Sequence, residues 1–152
     1  MADAAPVIAA GGLSHVALRV TDLARAVAWY RHVLGYDVFR TGPAPTPDRT
    51  PHAMGLIGGA GGVVLELLES PAARLPPPDS LGIVGLSLTI PDAAAAHAAL
   101  TAAGNPPITP VVPAEGWRVL FLRDPDANLV ELVQQPGDAP NIAALAEQLR
   151  RP

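Results

Sequence analysis

The 152-residue chain contains no cysteine and no lysine. The first absence excludes disulfides, thiolate nucleophiles and sulfur-ligated metal, and leaves any metal to His, Asp, Glu and water. The second means that all ten positive charges are arginines, scattered among fourteen acidic residues for a formal net charge of −4. No basic stripe results, so nucleic acid and anionic membrane surfaces are poor partners. Aromatic residues make up only 4% of the chain, which leaves few rings to build an apolar pocket wall. The first six residues lack a basic region and a long apolar run, so they do not read as a secretory signal, and a cytoplasmic soluble protein is the expectation. What is present, 49% hydrophobic and 16% charged residues, suits one soluble domain with a real core, or two half-size units sharing one.

The hydrophobic pattern comes in two copies. His15 to Val20 alternates with period two, Asp22 stands as an N-cap, Leu23 to Leu34 has helical spacing, and Gly35 stops the helix. Strands are expected at Tyr36 to Arg40, Ala53 to Ile57 and Val63 to Leu68, with a proline-rich loop over 43–51. From Gly85 the order repeats: an alternating strand, Pro91-Asp92 at a helix start, an alanine-rich helix to Ala103 and Gly104 as its stop. Strands then follow at Ile108 to Val112, Arg118 to Arg123 and Leu129 to Gln134, with a turn at Asp124 to Asn128. The fold class is therefore α+β, two tandem β-α-β-β-β modules over 13–69 and 82–135. A stiff linker with Pro76-Pro77-Pro78 fills 70–81. Ile142, Leu145 and Leu149 add a short amphipathic C-terminal helix over 140–151.

The repeat can be aligned residue by residue. Asp22 matches Asp92, His15 matches Gly85, and Val64-Leu65-Glu66-Leu67 plays the part of Val130-Glu131-Leu132. Strand alternation puts His15, Ala17 and Arg19 on one face and Val16, Leu18 and Val20 on the other. In the second copy, Gly85, Ser87 and Thr89 oppose Leu86, Leu88 and Ile90. Each module thus has a greasy face and a small or polar one with room for a ligand. Glu66 and Glu131 sit in otherwise apolar strands, where a carboxylate needs a cation, a donor or water.

Residues 13–134 resemble the vicinal oxygen chelate superfamily, which includes glyoxalase I, bleomycin-resistance proteins, fosfomycin-modifying enzymes and extradiol dioxygenases. The resemblance is carried by Leu13-Ser14-His15-Val16-Ala17-Leu18-Arg19-Val20-Thr21-Asp22-Leu23, by the helix end Ala28-Trp29-Tyr30 to Leu34-Gly35-Tyr36, and by Phe121-Leu122-Arg123-Asp124-Pro125-Asp126 running to Leu129-Val130-Glu131-Leu132. It implies sheets curled around a central cavity, with metal ligands on the first and last strands of each module. Those positions are His15, Glu66, Gly85 and Glu131, so three can bind a metal and Gly85 cannot. The implied cofactor is a divalent zinc, nickel, manganese or iron with an incomplete ligand set, and no nucleotide cofactor is implied.

The expected metal ligands are accordingly His15, Glu66 and Glu131, with Glu66 and Glu131 as the proton-carrying catalytic groups and Arg19, Ser87, Trp117 and Phe121 as substrate-binding residues. Gly85 argues against dioxygenase chemistry, which uses a histidine from each module. The expected activity is a metal-assisted, glyoxalase-like isomerase or lyase proton transfer on a small oxygenated metabolite. Two alternatives stand beside it: a metal-free protein that sequesters a small molecule, in the manner of bleomycin-resistance proteins, and a metal-free enzyme in which a carboxylate shuttles a proton with His15. The resemblance also implies a homodimer.

Overall fold

In the computed structural model, residues 13–44, 52–77, 80–114 and 116–137 are described; the expected C-terminal helix and Glu115 lie outside them. The chain divides into two compact units, Met1–Ala73 and Arg74–Pro152. Each carries its own four-stranded mixed sheet and one helix, so the eight strands form two sheets. No described helix is long and apolar enough to cross a membrane.

In the first unit, β1 (Val16–Val20) leads through α1 (Leu23–Leu34) to β2 (Asp37–Ala44), β3 (His52–Gly58) and β4 (Val64–Glu69). The sheet order is β1-β4-β3-β2, with β1 parallel to β4 and the other pairs antiparallel. A parallel pair needs a long crossover, and α1 with the β2–β3 hairpin supplies it. Asp22 caps α1 by accepting the Arg25 N–H at 2.9 Å. At the other end Gly35 adopts φ 68°, a left-handed conformation suited to glycine, and the Tyr36 N–H reaches back to the Tyr30 carbonyl. The helix covers one sheet face, on which Val20, Leu65, Leu67, Ile57 and Tyr30 are almost wholly buried. A Cβ at Gly55 would already lie 3.4 Å from the Leu23 side chain, so this glycine lets helix and sheet come close. Burial also pushes the Tyr36 phenol above its ordinary pKa.

The second unit repeats the plan: β5 (Leu86–Thr89), α2 (Ala93–Ala102), β6 (Val112–Ala114), β7 (Trp117–Arg123) and β8 (Leu129–Gln134), in the order β5-β8-β7-β6. Again the first and last strands are parallel. Asp92 accepts the N–H groups of Ala94 and Ala95, and Leu120, Val130, Leu86 and Leu100 make the core beneath α2.

Several strand boundaries differ from the sequence pattern. β2 runs on to Ala44, through Pro43, because it is an edge strand whose outer side requires no ladder N–H. Its register slips at Phe39, between Val38 and Arg40. The strand expected at Ile108 to Val112 begins only at Val112: prolines at 106, 107 and 110 interrupt the segment, which bonds across through the Ile108 N–H to the Phe121 carbonyl and through Thr109 Oγ1, which accepts the Phe121 N–H. His15 itself lies one residue ahead of β1.

Glu69, which reads from sequence as a solvated strand end, accepts the Leu23 N–H at 3.0 Å and so holds the start of α1 to β4. Gln134 does the same for Ala93 and α2 at 2.8 Å. Both residues lie three positions after the glutamate on the other face of their strand. In the β7–β8 turn, Asp124 is only 5% exposed, and its carboxylate accepts the N–H groups of Asp126 and Asn128 and the Asn128 side-chain amide. Ala127 completes this turn at φ 65°, a conformation strained for a residue with a Cβ.

Two stability outcomes follow for urea unfolding. Gln134→Ala costs about 1 kcal/mol by stripping a helix-end N–H of its acceptor, whereas Glu69→Gln changes stability by only a few tenths of that. Ala127→Gly stabilises the fold by about 0.5 kcal/mol, because relief of the left-handed strain exceeds the added unfolded-state entropy.

Candidate functional site

The face of the first sheet opposite α1 carries His15, Ala17, Arg19, Leu56 and Glu66. Ala17 and Glu66 are register partners in the parallel ladder, as are Leu56 and Glu66 in the antiparallel one, so these side chains share a face. His15, Ala17 and Arg19 are exposed. The His15 imidazole brings Nε2 within 3.5 Å of Glu66 Oε2. The Glu66 side chain is 17% exposed and the His15 side chain 43%, so the pair sits at the surface of the sheet with the carboxylate the more enclosed.

The other imidazole nitrogen, Nδ1, is 3.1 Å from Ser14 Oγ. A serine hydroxyl can donate or accept, so it supports either neutral tautomer of His15. With the proton on Nδ1, the Nε2 lone pair and the Glu66 carboxylate face one another as two electron-rich donors. With the proton on Nε2, that nitrogen donates to Glu66 across a long hydrogen bond.

The second sheet has a different arrangement at the equivalent place. Ser87 and Glu131 are register partners, and Ser87 Oγ donates to Glu131 Oε2 at 2.7 Å. Phe121 lies opposite Glu131 on β7, and Val119 and Trp117 continue the same face along that strand, all half-buried. Of the expected substrate residues, Arg19 thus shares a face with His15 and Glu66 in the first unit, and Ser87, Trp117 and Phe121 share one with Glu131 in the second.

Gly85 is more than a position without a ligand. A Cβ built there would stand 2.8 Å from the Leu129 carbonyl oxygen and 3.1 Å from Leu129 Cβ. The obstacle is backbone, which cannot swing aside like the end of a side chain. The glycine is needed for β5 to approach β8, so the donor that partners Glu131 comes instead from Ser87, two residues further along.

The donor chemistry of the first unit fits a divalent metal at two positions. Two ligand atoms each about 2.0–2.2 Å from a metal, at a tetrahedral angle, lie about 3.4 Å apart, close to the 3.5 Å between His15 Nε2 and Glu66 Oε2. A hydrogen bond from the far imidazole nitrogen, here to Ser14, is the usual support for a metal-binding histidine. No group of three or more His, Asp or Glu side chains able to hold a metal is found among the described residues. The role of Ser14 was not legible in sequence; its place next to His15 in the chain was the available signal.

Gly85→Ala tests the steric reading directly: it should destabilise the protein by about 1–3 kcal/mol in chemical unfolding, as expected for an overpacked site, whereas Ala17→Gly at the unobstructed equivalent strand should cost less than about 1 kcal/mol.

Comparison with known proteins agrees with this architecture. The family model for the Glyoxalase/Bleomycin resistance protein/Dioxygenase superfamily matches residues 12–132. Among solved structures, a glyoxylase/bleomycin resistance protein/dioxygenase domain from Frankia sp. EAN1pec is 25% identical, with a TM-score of 0.66 over 86% of this chain and 96% of that one. The trypanothione-dependent glyoxalase I of Leishmania major is 21% identical, with a TM-score of 0.64 over 92% and 93%. The fosfomycin resistance protein FosX of Listeria monocytogenes is 19% identical, with a TM-score of 0.62 over 86% and 98%. No match was found among curated protein sequences. The chain belongs to the glyoxalase/bleomycin resistance protein/dioxygenase superfamily.

Proposed function

We propose that this chain is a glyoxalase-like enzyme that moves a proton on a small oxygenated metabolite, with His15 and Glu66 as the acting pair. The observation that carries this reading is the 3.5 Å approach of His15 Nε2 to Glu66 Oε2 on the face of the sheet opposite α1. A carbonyl-bearing substrate on that face presents an acidic C–H to the carboxylate. Glu66 takes that proton and returns it to the neighbouring atom, while His15 donates a hydrogen bond to the oxygen on which negative charge develops. Arg19, on the same face, holds an anionic group of the substrate.

His15 Nε2 and a Glu66 oxygen would be the groups to hold a divalent ion, which when bound supplies Lewis acidity toward two neighbouring substrate oxygens. The family resemblance implies Glu131 as a third donor. The same reading takes the chain as a homodimer, as the family resemblance implies, and as cytoplasmic, as expected from its N-terminal residues.

A second reading, a metal-free protein that binds a small molecule without turning it over, is favoured by one observation. The Glu131 carboxylate already receives the Ser87 hydroxyl at 2.7 Å, beside Phe121, which suits a hydrogen-bonding pocket wall as well as a ligand set.

Elemental analysis of gently purified protein separates the two. The enzyme reading expects near-stoichiometric zinc, nickel, manganese or iron, lost by at least tenfold in His15→Ala and in Glu66→Ala. Loss in Glu131→Ala as well assigns the third ligand. Metal-free protein after growth in supplemented medium removes the metal from the proposal. Proton transfer is then read independently, as deuterium uptake from D2O at the carbon beside the carbonyl of small α-hydroxycarbonyl compounds. Uptake abolished by Glu66→Gln supports the enzyme; none with the wild type leaves the binder.

A further inference from the structure

On the face of the second sheet opposite α2, Glu131 presents a carboxylate that takes no part in the proton exchange proposed for His15 and Glu66. Glu131 is half-buried on β8, and among the described residues its one side-chain partner is the neutral hydroxyl of Ser87, bonded to Oε2. A hydroxyl orients a carboxylate without compensating its charge, so Oε1 is left to seek a positive partner. The nearest arginine on this face is Arg123, whose register partner is Leu129; its guanidinium donates to the Ala127 carbonyl in the turn.

The surroundings decide which kind of cation this carboxylate suits. Around Glu131 the same face presents Phe121, directly opposite in the antiparallel register, with Val119 and Val133 as the next pair. Directly opposed residues have Cβ atoms about 4.5–5.5 Å apart, within reach of one bound group. An inorganic cation needs several further oxygen or nitrogen donors, whereas within this unit Ser87 and Thr89 offer hydroxyls alone. An ammonium group attached to an apolar body finds what is present: a carboxylate for its N–H, a ring for its charge and aliphatic side chains for its carbon frame.

We propose that this face of the second unit is a binding site for an organic ammonium compound, with Glu131 accepting its N–H group, Ser87 orienting the carboxylate and Phe121 lying alongside. It assigns the second module a recognition role where Gly85 has removed the histidine position.

Amide chemical shifts of the full chain, titrated with benzylammonium and separately with neutral benzyl alcohol, test the proposal. Benzylammonium should shift the amides of Ser87, Phe121 and Glu131 and bind at least about tenfold more tightly than benzyl alcohol. Glu131→Gln, which preserves shape, should bring the two probes to equal affinity. Phe121→Leu should weaken benzylammonium severalfold. Asp37→Asn, the same charge change at an exposed position of the first unit, should leave binding unchanged. Equal affinity for the two probes in the wild type overturns the proposal, as does an unaltered preference in Glu131→Gln. Displacement of benzylammonium by one equivalent of zinc assigns the carboxylate to a metal and likewise overturns it. None of these outcomes bears on deuterium uptake at Glu66, so the two proposals fail separately.

Discussion

The parallel pairing of the first and last strands in each module is the constraint on which the rest depends. Val16–Val20 lies along Leu65–Glu69, and Leu86–Thr89 along Val130–Val133. A parallel ladder cannot be closed by a tight turn, so everything between the two strands becomes crossover, and the helix within it must cover one face of the sheet. Glu69 and Gln134 fasten that helix to the last strand by taking a backbone N–H from its first turn. One face is thereby filled with Leu65, Leu67, Leu120 and Val130, while the opposite face carries a glutamate in both modules.

The two glutamates have acquired different partners, and the difference arises at the first strand. In the first unit Ala17 stands opposite Glu66, and His15 Nε2 comes within 3.5 Å of that carboxylate. In the second, the Leu129 carbonyl forbids any side chain at position 85, and the hydroxyl of Ser87 stands opposite Glu131. One carboxylate therefore faces an imidazole that can carry a proton or bind a metal. The other faces a neutral donor, its one side-chain partner among the described residues. A duplicated scaffold has been specialised by a two-residue displacement of the donor along a strand, with no change in strand order.

Much of the fold was legible because its signals are local. Asp22 and Gly35 bracket α1 at the residues the pattern indicates, and Leu129 to Gln134 is β8 as read. The alternation of His15, Ala17 and Arg19 against Val16, Leu18 and Val20 gave the correct faces, since side-chain direction in a strand depends on parity alone. The misreadings came where pairing overrides propensity. Pro43 is tolerated because β2 is an edge, and the strand expected at Ile108 starts at Val112 because pairing with β7 begins only beyond the prolines. Glu69 was missed because its acceptor role depends on α1, 46 residues away in sequence.

By itself, then, the sequence determined the duplicated β-α-β-β-β plan, the two carboxylate positions and the asymmetry between His15 and Gly85, all of which follow from periodicity and internal repetition. Tertiary structure decided how these residues are used. That His15 reaches Glu66, that Ser87 rather than a cation holds Glu131 Oε2, and that Gly85 is fixed by the Leu129 backbone all depend on ladder register and strand-to-strand distance. Those quantities are set by hydrogen bonding between segments more than forty residues apart, and no local pattern encodes them.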